Sequence, residues 1–173
     1  MSQFGHNKPP IQLNPKETIQ KNIIRRKPIV DKLIHYQNVP LPSWIELSLI
    51  DVCNRACSFC PRSDDIVAPN TNQKMERVLI DKLHDDLKDI GYEGSFCLCG
   101  YGEPLLYKDI NYTIEKLSEV GAVEIITNGD PLNKNRLLEL YNSKTARLII
   151  SLYDGPEQLD KFTEMIKEAG IGD

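Results

Sequence analysis

The sequence predicts an α/β fold of parallel βα repeats, an incomplete barrel of about four units, and three observations carry that expectation. From Trp44 onward, short apolar or β-branched runs alternate with segments of helical period. Each run ends in turn chemistry, and the residues able to do chemistry gather at those ends. The strand starts lie 50, 28 and 25 residues apart, so the first unit carries an insertion after its strand.

Taken in order, residues 1–43 form a basic, proline-rich arm and residues 44–173 the domain. Six of the eleven prolines precede Trp44, which excludes a long uninterrupted helix there. Short helical pieces fit the spacing of Ile19, Ile23 and Ile24 and of Val30, Leu33 and Ile34. Strands are expected over 45–50, 95–99, 123–127 and 148–152, where β-branched and apolar residues concentrate. After the first comes a helix with the stripe Leu79, Leu83, Leu87 and Ile90. The next carries Ile110, Ile114, Leu117 and Val120, closed by Gly121 as a left-handed cap. Leu137, Leu138 and Tyr141 mark a shorter third helix. A fourth starts at Pro156, a favourable first-turn residue, and stops at Gly170. Right-handed crossovers would open all four strand-end loops on one side of the sheet, where ligands of α/β folds bind.

Composition narrows the function. No stretch of the 173 residues approaches the roughly 20 apolar positions of a membrane helix, and the start lacks a secretory pattern, so a cytoplasmic protein is expected. Net charge is −4, split between an arm with a surplus of five basic residues and an acidic remainder. That acidic body argues against nucleic-acid binding, which needs a basic face. Five cysteines are too few for a disulfide scaffold, and three of them crowd into eight residues.

Those three, Cys53, Cys57 and Cys60, are spaced by four and then three residues in a loop directly after the first strand. Three thiolates there can wrap one compact centre, such as an iron-sulfur cluster with one iron left open. A zinc site completed by Cys97 or Cys99, or a chance grouping of buried cysteines, are the competing readings. His6, His35 and His84 have no partner at ligand spacing, and His84, beside Asp85 and Asp86, is expected to be exposed.

The spacing C-x-x-x-C-x-x-C after a first strand, with Phe59 just before the last cysteine, resembles the radical S-adenosylmethionine (SAM) enzyme family. That resemblance implies a [4Fe-4S] cluster on Cys53, Cys57 and Cys60 whose open iron chelates SAM, and a partial TIM barrel around it. It also implies reductive cleavage of SAM to a 5′-deoxyadenosyl radical, with the electron supplied by a reductant such as flavodoxin or ferredoxin. Gly100-Tyr101-Gly102-Glu103-Pro104 resembles the family's G-G-E-P segment, with Tyr101 as a departure. Gly100 and Gly102 would let the backbone approach SAM, and Pro104 would hold Glu103 extended. Thr127-Asn128-Gly129 and Ser151 resemble the SAM-contacting ends of the third and fourth strands. Asp154 reads equally well as a cap for the helix at Pro156. Cys97 and Cys99 share a strand face and serve either as small buried side chains or as groups directed toward the cofactor.

The resemblance covers residues 45 to about 169 and stops after four of the family's six βα units. A missing C-terminal half, a partner chain that completes the barrel, or a member that binds a cluster without turnover would each account for this. Peptide or small-molecule modification of the SPASM type is the substrate-side expectation. The alternative from another class is a non-catalytic zinc or iron-sulfur module using Cys97 or Cys99 as fourth ligand. A third is an interaction protein that recruits an acidic partner through its basic arm.

Overall fold

A computed structural model describes residues 34–171 together with Lys16, Ile19, Gln20, Ile23, Ile24, Lys27 and Asp31. The six arm positions from Lys16 to Lys27 are helical and exposed. Val30 and Leu33 lie outside the described residues, as do the residues before Lys16. Immediately before the domain stands a hairpin not anticipated from the sequence, β1 (His35–Tyr36) and β2 (Val39–Pro40). Gln37 and Asn38 both have positive φ, 48° and 66°, which makes the connection a type I′ turn. Only Asn38 signals that turn in the sequence, and two-residue strands leave no alternation to read.

The main sheet has four parallel strands in sequence order: β3 (Trp44–Leu47), β4 (Ser95–Leu98), β5 (Ala122–Thr127) and β6 (Thr145–Ile150). Helices α1 (Arg77–Asp89), α2 (Ile110–Leu117), α3 (Lys134–Tyr141) and α4 (Pro156–Glu168) alternate with them. This is the βα repeat expected. The last strand starts at Thr145, three residues before the apolar run, because Arg147 pairs with Glu124 across a register shift at Val123/Glu124. Gly121 is not left-handed. Its lack of a Cβ is needed instead because that atom would sit 2.4 Å from the Gly94 carbonyl oxygen.

Alternation divides the sheet into two faces. Phe96, Leu98, Val123 and Ile125 are wholly buried on one face, in a core that also holds Ile80, Ile110, Ile114, Leu117, Leu140 and Phe162 from the four helices. Each such side chain contributes about 1.5–3 kcal/mol by leaving water. The opposite face carries the row Glu46, Cys97, Glu124 and Arg147, one residue per strand in direct register.

The long first connection also has a structural explanation. After β3 the chain makes the cysteine loop and then returns antiparallel beside its own exit. Met75 N–H donates to Leu49 O at 2.8 Å and Asp51 N–H to Gln73 O at 3.0 Å. The Tyr107 hydroxyl donates to Met75 O at 2.7 Å, tying this return to the loop after β4. Among the described residues no helix is long and apolar enough to cross a membrane.

Candidate functional site

Cys53, Cys57 and Cys60 follow β3 in a loop, each half-buried. The Cys60 N–H donates to Cys57 O at 2.9 Å, and Cys60 caps a 3-10 turn over Pro61–Ser63. This fixes the second and third cysteines locally. The first is held both locally and from outside the loop: Arg55 N–H lies 3.5 Å from Cys53 Sγ, and Asn128 Nδ2, after β5, lies 3.8 Å from the same sulfur.

Side chains from the loops after β5 and β6 complete the hold. Asn128 Nδ2 donates to Asn54 Oδ1 at 2.9 Å, and Asn54 Nδ2 donates to Asp130 Oδ2 at 2.9 Å. Arg55 donates from Nε and Nη2 to the two oxygens of Asp130, both at 2.6 Å. It donates from Nη1 and Nη2 to Asp154 at 3.0 and 2.6 Å. Hydrogen bonds to Asp130 and then Asp154 push the Arg55 pKa up, and the same guanidinium holds both carboxyls below the usual carboxylate range. Asp154 is therefore an ion-pair partner and not the cap of α4. Gly155 occupies the cap position before Pro156 and supplies no side-chain cap, and Gln158, 7% exposed, reaches back to accept from the N–H groups of Tyr153 and Asp154.

After β4, Pro104 follows an extended Glu103, with φ −91° and ψ 110°, as expected. Glu103 is 2% exposed and its carboxylate is fully engaged. Oε1 accepts from Leu105 N–H at 3.0 Å and from the Thr127 hydroxyl at 2.6 Å, and Oε2 accepts from Asn128 N–H at 2.8 Å. Its side chain is a brace between the exits of β4 and β5. The two glycines of this segment also serve the protein's own packing. Gly100 has φ +124°, and a Cβ on Gly102 would lie 1.8 Å from Ile50 O. The Glu103 N–H donates to Val52 O at 2.9 Å, so this loop lies directly against the approach to Cys53.

Ser151 follows β6 and its N–H donates to Thr127 O at 2.8 Å. Phe59 is 71% exposed, with its ring centre 5.4 Å from that of Tyr153. Between the cysteine loop and the exit of β6 lies a cleft of about 310 Å³ lined by Arg55, Cys57, Phe59, Tyr153 and Asp154.

Cys97 is fully buried on the helix-free face. A hydrogen bond to Cys99, then burial, then the carboxylates of Glu46 and Glu124 push its thiol well above the ordinary range, whereas Cys99, accepting that bond, is lowered. Glu124 is 5% exposed; Arg147 Nη2 approaches its Oε1 at 3.2 Å, and its Oε2 is buried with no partner among the described residues. Among the described residues no three His, Cys, Asp or Glu side chains lie close enough to hold a single metal ion. A zinc ion with thiolate bonds of about 2.3 Å would need such a tight group. A multi-iron cluster spreads its thiolates over separate irons. Three free, half-buried thiols on one loop are the donor chemistry that such a cluster takes.

Sequence reasoning missed Arg55, Asn54 and Asp130, although each adjoins a residue already singled out. A charge directly after Asn128-Gly129 and another between two cysteines was the available signal. His84 is buried, against the exposure that its neighbours Asp85 and Asp86 suggest. It is 3% exposed, with Nδ1 2.8 Å from Asp85 Oδ1 and Nε2 3.1 Å from Glu119 Oε2, because it faces the end of α2 rather than solvent.

A family model, the Radical SAM superfamily, matches residues 47–170. The S-adenosyl-L-methionine-dependent 2-deoxy-scyllo-inosamine dehydrogenase of Niallia circulans is 29% identical over 116 residues, 65% of this chain and 46% of that protein. GTP 3′,8-cyclase of Staphylococcus aureus is 33% identical over 120 residues, 62% of this chain and 33% of that one. The crystal structure of BtrN in complex with AdoMet and 2-DOIA matches with a TM-score of 0.60 at 29% identity, covering 67% of this chain and 48% of that chain. Streptococcus suis SuiB bound to the precursor peptide SuiA matches in fold, with a TM-score of 0.55 at 20% identity over 98% of this chain and 38% of that chain. The chain spans between a third and a half of the length of these relatives.

Proposed function

The chain belongs to the radical SAM superfamily, and on that premise we propose that it forms the N-terminal part of an enzyme core that holds a [4Fe-4S] cluster on Cys53, Cys57 and Cys60. When bound, the reduced cluster and SAM together supply a 5′-deoxyadenosyl radical able to take a hydrogen atom from a substrate. The observation that carries this reading is the cysteine loop itself. Three half-buried cysteines lie in one loop, and side chains from the exits of β5 and β6 hold that loop in place.

The chain's own residues divide the remaining work. Cys53, Cys57 and Cys60 ligate iron. Asn128 and the Arg55 N–H donate toward the Cys53 sulfur, and hydrogen bonds to cluster sulfurs raise a cluster's potential. The backbone at Gly100 and Gly102, the segment at Asn128 and Ser151, and the ring of Phe59 face SAM. Glu103 acts through its brace to Thr127 and Asn128. A reductant such as flavodoxin or ferredoxin supplies the electron. Further chain, from a C-terminal half or a partner, covers the edge of β6.

On the helix-free face, the Glu124 oxygen with no partner among the described residues, next to Arg147 and in one row with Cys97 and Glu46, supports a polar substrate that brings a hydrogen-bond donor. An aminocyclitol, the substrate class in the name of the Niallia circulans relative, is of that kind.

Anaerobic reconstitution with iron and sulfide tests the reading, scored by iron and zinc content and by EPR of the reduced protein with and without SAM. About four irons per chain and a SAM-dependent change in the signal are expected. Cys97→Ala with Cys99→Ala is expected to spare cluster assembly. Zinc uptake in place of iron, or loss of metal in that double variant, would instead support the binding-module alternative.

A further inference from the structure

Between Cys53 and Cys57, unlike between Cys57 and Cys60, no backbone hydrogen bond joins the flanking cysteines among the described residues. Arg55 stands midway, two residues from each. Its guanidinium makes four hydrogen bonds to two carboxylates, and those carboxylates belong to different loops. Asp130 follows β5 and Asp154 follows β6. The side chain is only 16% exposed, against 32% and 57% for its partners, so it lies beneath them rather than waving in solvent. A planar fork engaged on two sides keeps little rotational freedom, and the backbone carrying it is fixed with it.

We propose that Arg55 is a positioning residue whose double ion pair sets the spacing of Cys53 and Cys57 and locks the cysteine loop to the exits of β5 and β6, so that the iron-binding loop and the SAM-facing loops move as one unit. This rests on the cluster reading above for its purpose, though not for its geometry. The trio carries a net charge of −1, so removing the guanidinium leaves two carboxylates facing each other with only the weaker field of Lys161 to offset them. Their repulsion would drive the two exits apart and release the cysteine loop. Lysine restores the charge without the fork and reaches one carboxylate at a time, so it should rescue only in part.

Hydrogen exchange on the metal-free chain reads the coupling directly. In Arg55→Gln, the hydrogen-bonded amides of Arg55, Gly129, Asp130, Tyr153 and Asp154 should all exchange about tenfold faster, while those of α2 and β4 keep their rates. Arg55→Lys should fall between. Asp154→Asn, at an exposed position 99 residues away in sequence, should also speed exchange at the Arg55 amide. In reconstituted protein, Arg55→Gln should lose iron to a chelator about 10- to 100-fold faster, as is usual when a partner outside the ligand set is removed, with an altered EPR signal. Unchanged rates at Gly129, Asp130, Tyr153 and Asp154 in Arg55→Gln, or unchanged iron release, would overturn the proposal. Should Arg55→Gln fail to fold, unchanged exchange at the Arg55 amide in Asp154→Asn would overturn it equally. Wild-type protein that takes up no iron would refute the cluster reading alone, and the exchange comparison would still decide the role of Arg55.

Discussion

Two regions of this molecule are held together by different physics. The helix-side core joins Phe96, Leu98, Val123 and Ile125 to four helices through non-directional apolar contact, and these sheet residues are completely buried. The rim at the strand exits is held by directional contacts among Asn54, Arg55, Glu103, Asn128, Asp130 and Asp154. Core contacts tolerate small adjustments and carry stability. Rim contacts fix angles and distances, so they carry geometry. Damage to the first should lower stability while leaving the site intact in whatever remains folded, and damage to the second should do the reverse.

The largest expected effect breaks the rim without touching the core. Any one of Cys53→Ala, Cys57→Ala or Cys60→Ala should abolish the SAM-dependent EPR change and leave the thermal unfolding of the metal-free chain nearly unshifted. Next, Leu98→Ala empties a fully buried core position and should cost about 2–5 kcal/mol in denaturant unfolding, with iron per folded chain unchanged. Glu103→Ala sits between the two regions. It strands the Thr127 hydroxyl and the Asn128 N–H of a buried network and should cost about 1–3 kcal/mol, while also accelerating exchange at 127–129. If it behaved as a pure core substitution, with no local change at the β5 exit, the division drawn here would be wrong.

Acid should separate the regions without any mutation. Asp130 and Asp154 are held below their ordinary pKa by Arg55, with Lys161 adding to the effect. A depressed carboxyl contributes its stabilisation fully above the unfolded value near 4 and loses it as pH falls through the lower folded value. The rim should therefore loosen below about pH 4, seen as faster exchange or proteolysis near Arg55, whereas the apolar contacts of the core have no such dependence. The smallest effect belongs to neither region. Lys82→Ala removes an exposed pair with Asp86 on α1 and should leave the denaturant midpoint essentially unshifted.

Much of this was legible in the chain. The alternation of apolar runs with helical stripes fixes the order β3-α1-β4-α2-β5-α3-β6-α4, because burial of one strand face and one helix stripe is a local periodic demand. The cysteine spacing is likewise a local property. His84 and Asp154 were not legible, since each is defined by a partner from a distant part of the sequence, Glu119 for one and Arg55 for the other. Gly121 looked like a helix stop and is a contact point with Gly94 for the same reason.

By itself the sequence determined the βα repeat, the sheet faces, and the presence of three closely spaced thiols after the first main strand, all of which follow from residue type and short-range spacing. Only the tertiary structure decided that Arg55 would meet Asp130 and Asp154, 75 and 99 residues away, and that Glu103 would brace Thr127 and Asn128. Parallel strands bring their exits side by side whatever lies between them in sequence, so which charged groups meet there is settled by register and crossover, not by any pattern within one loop.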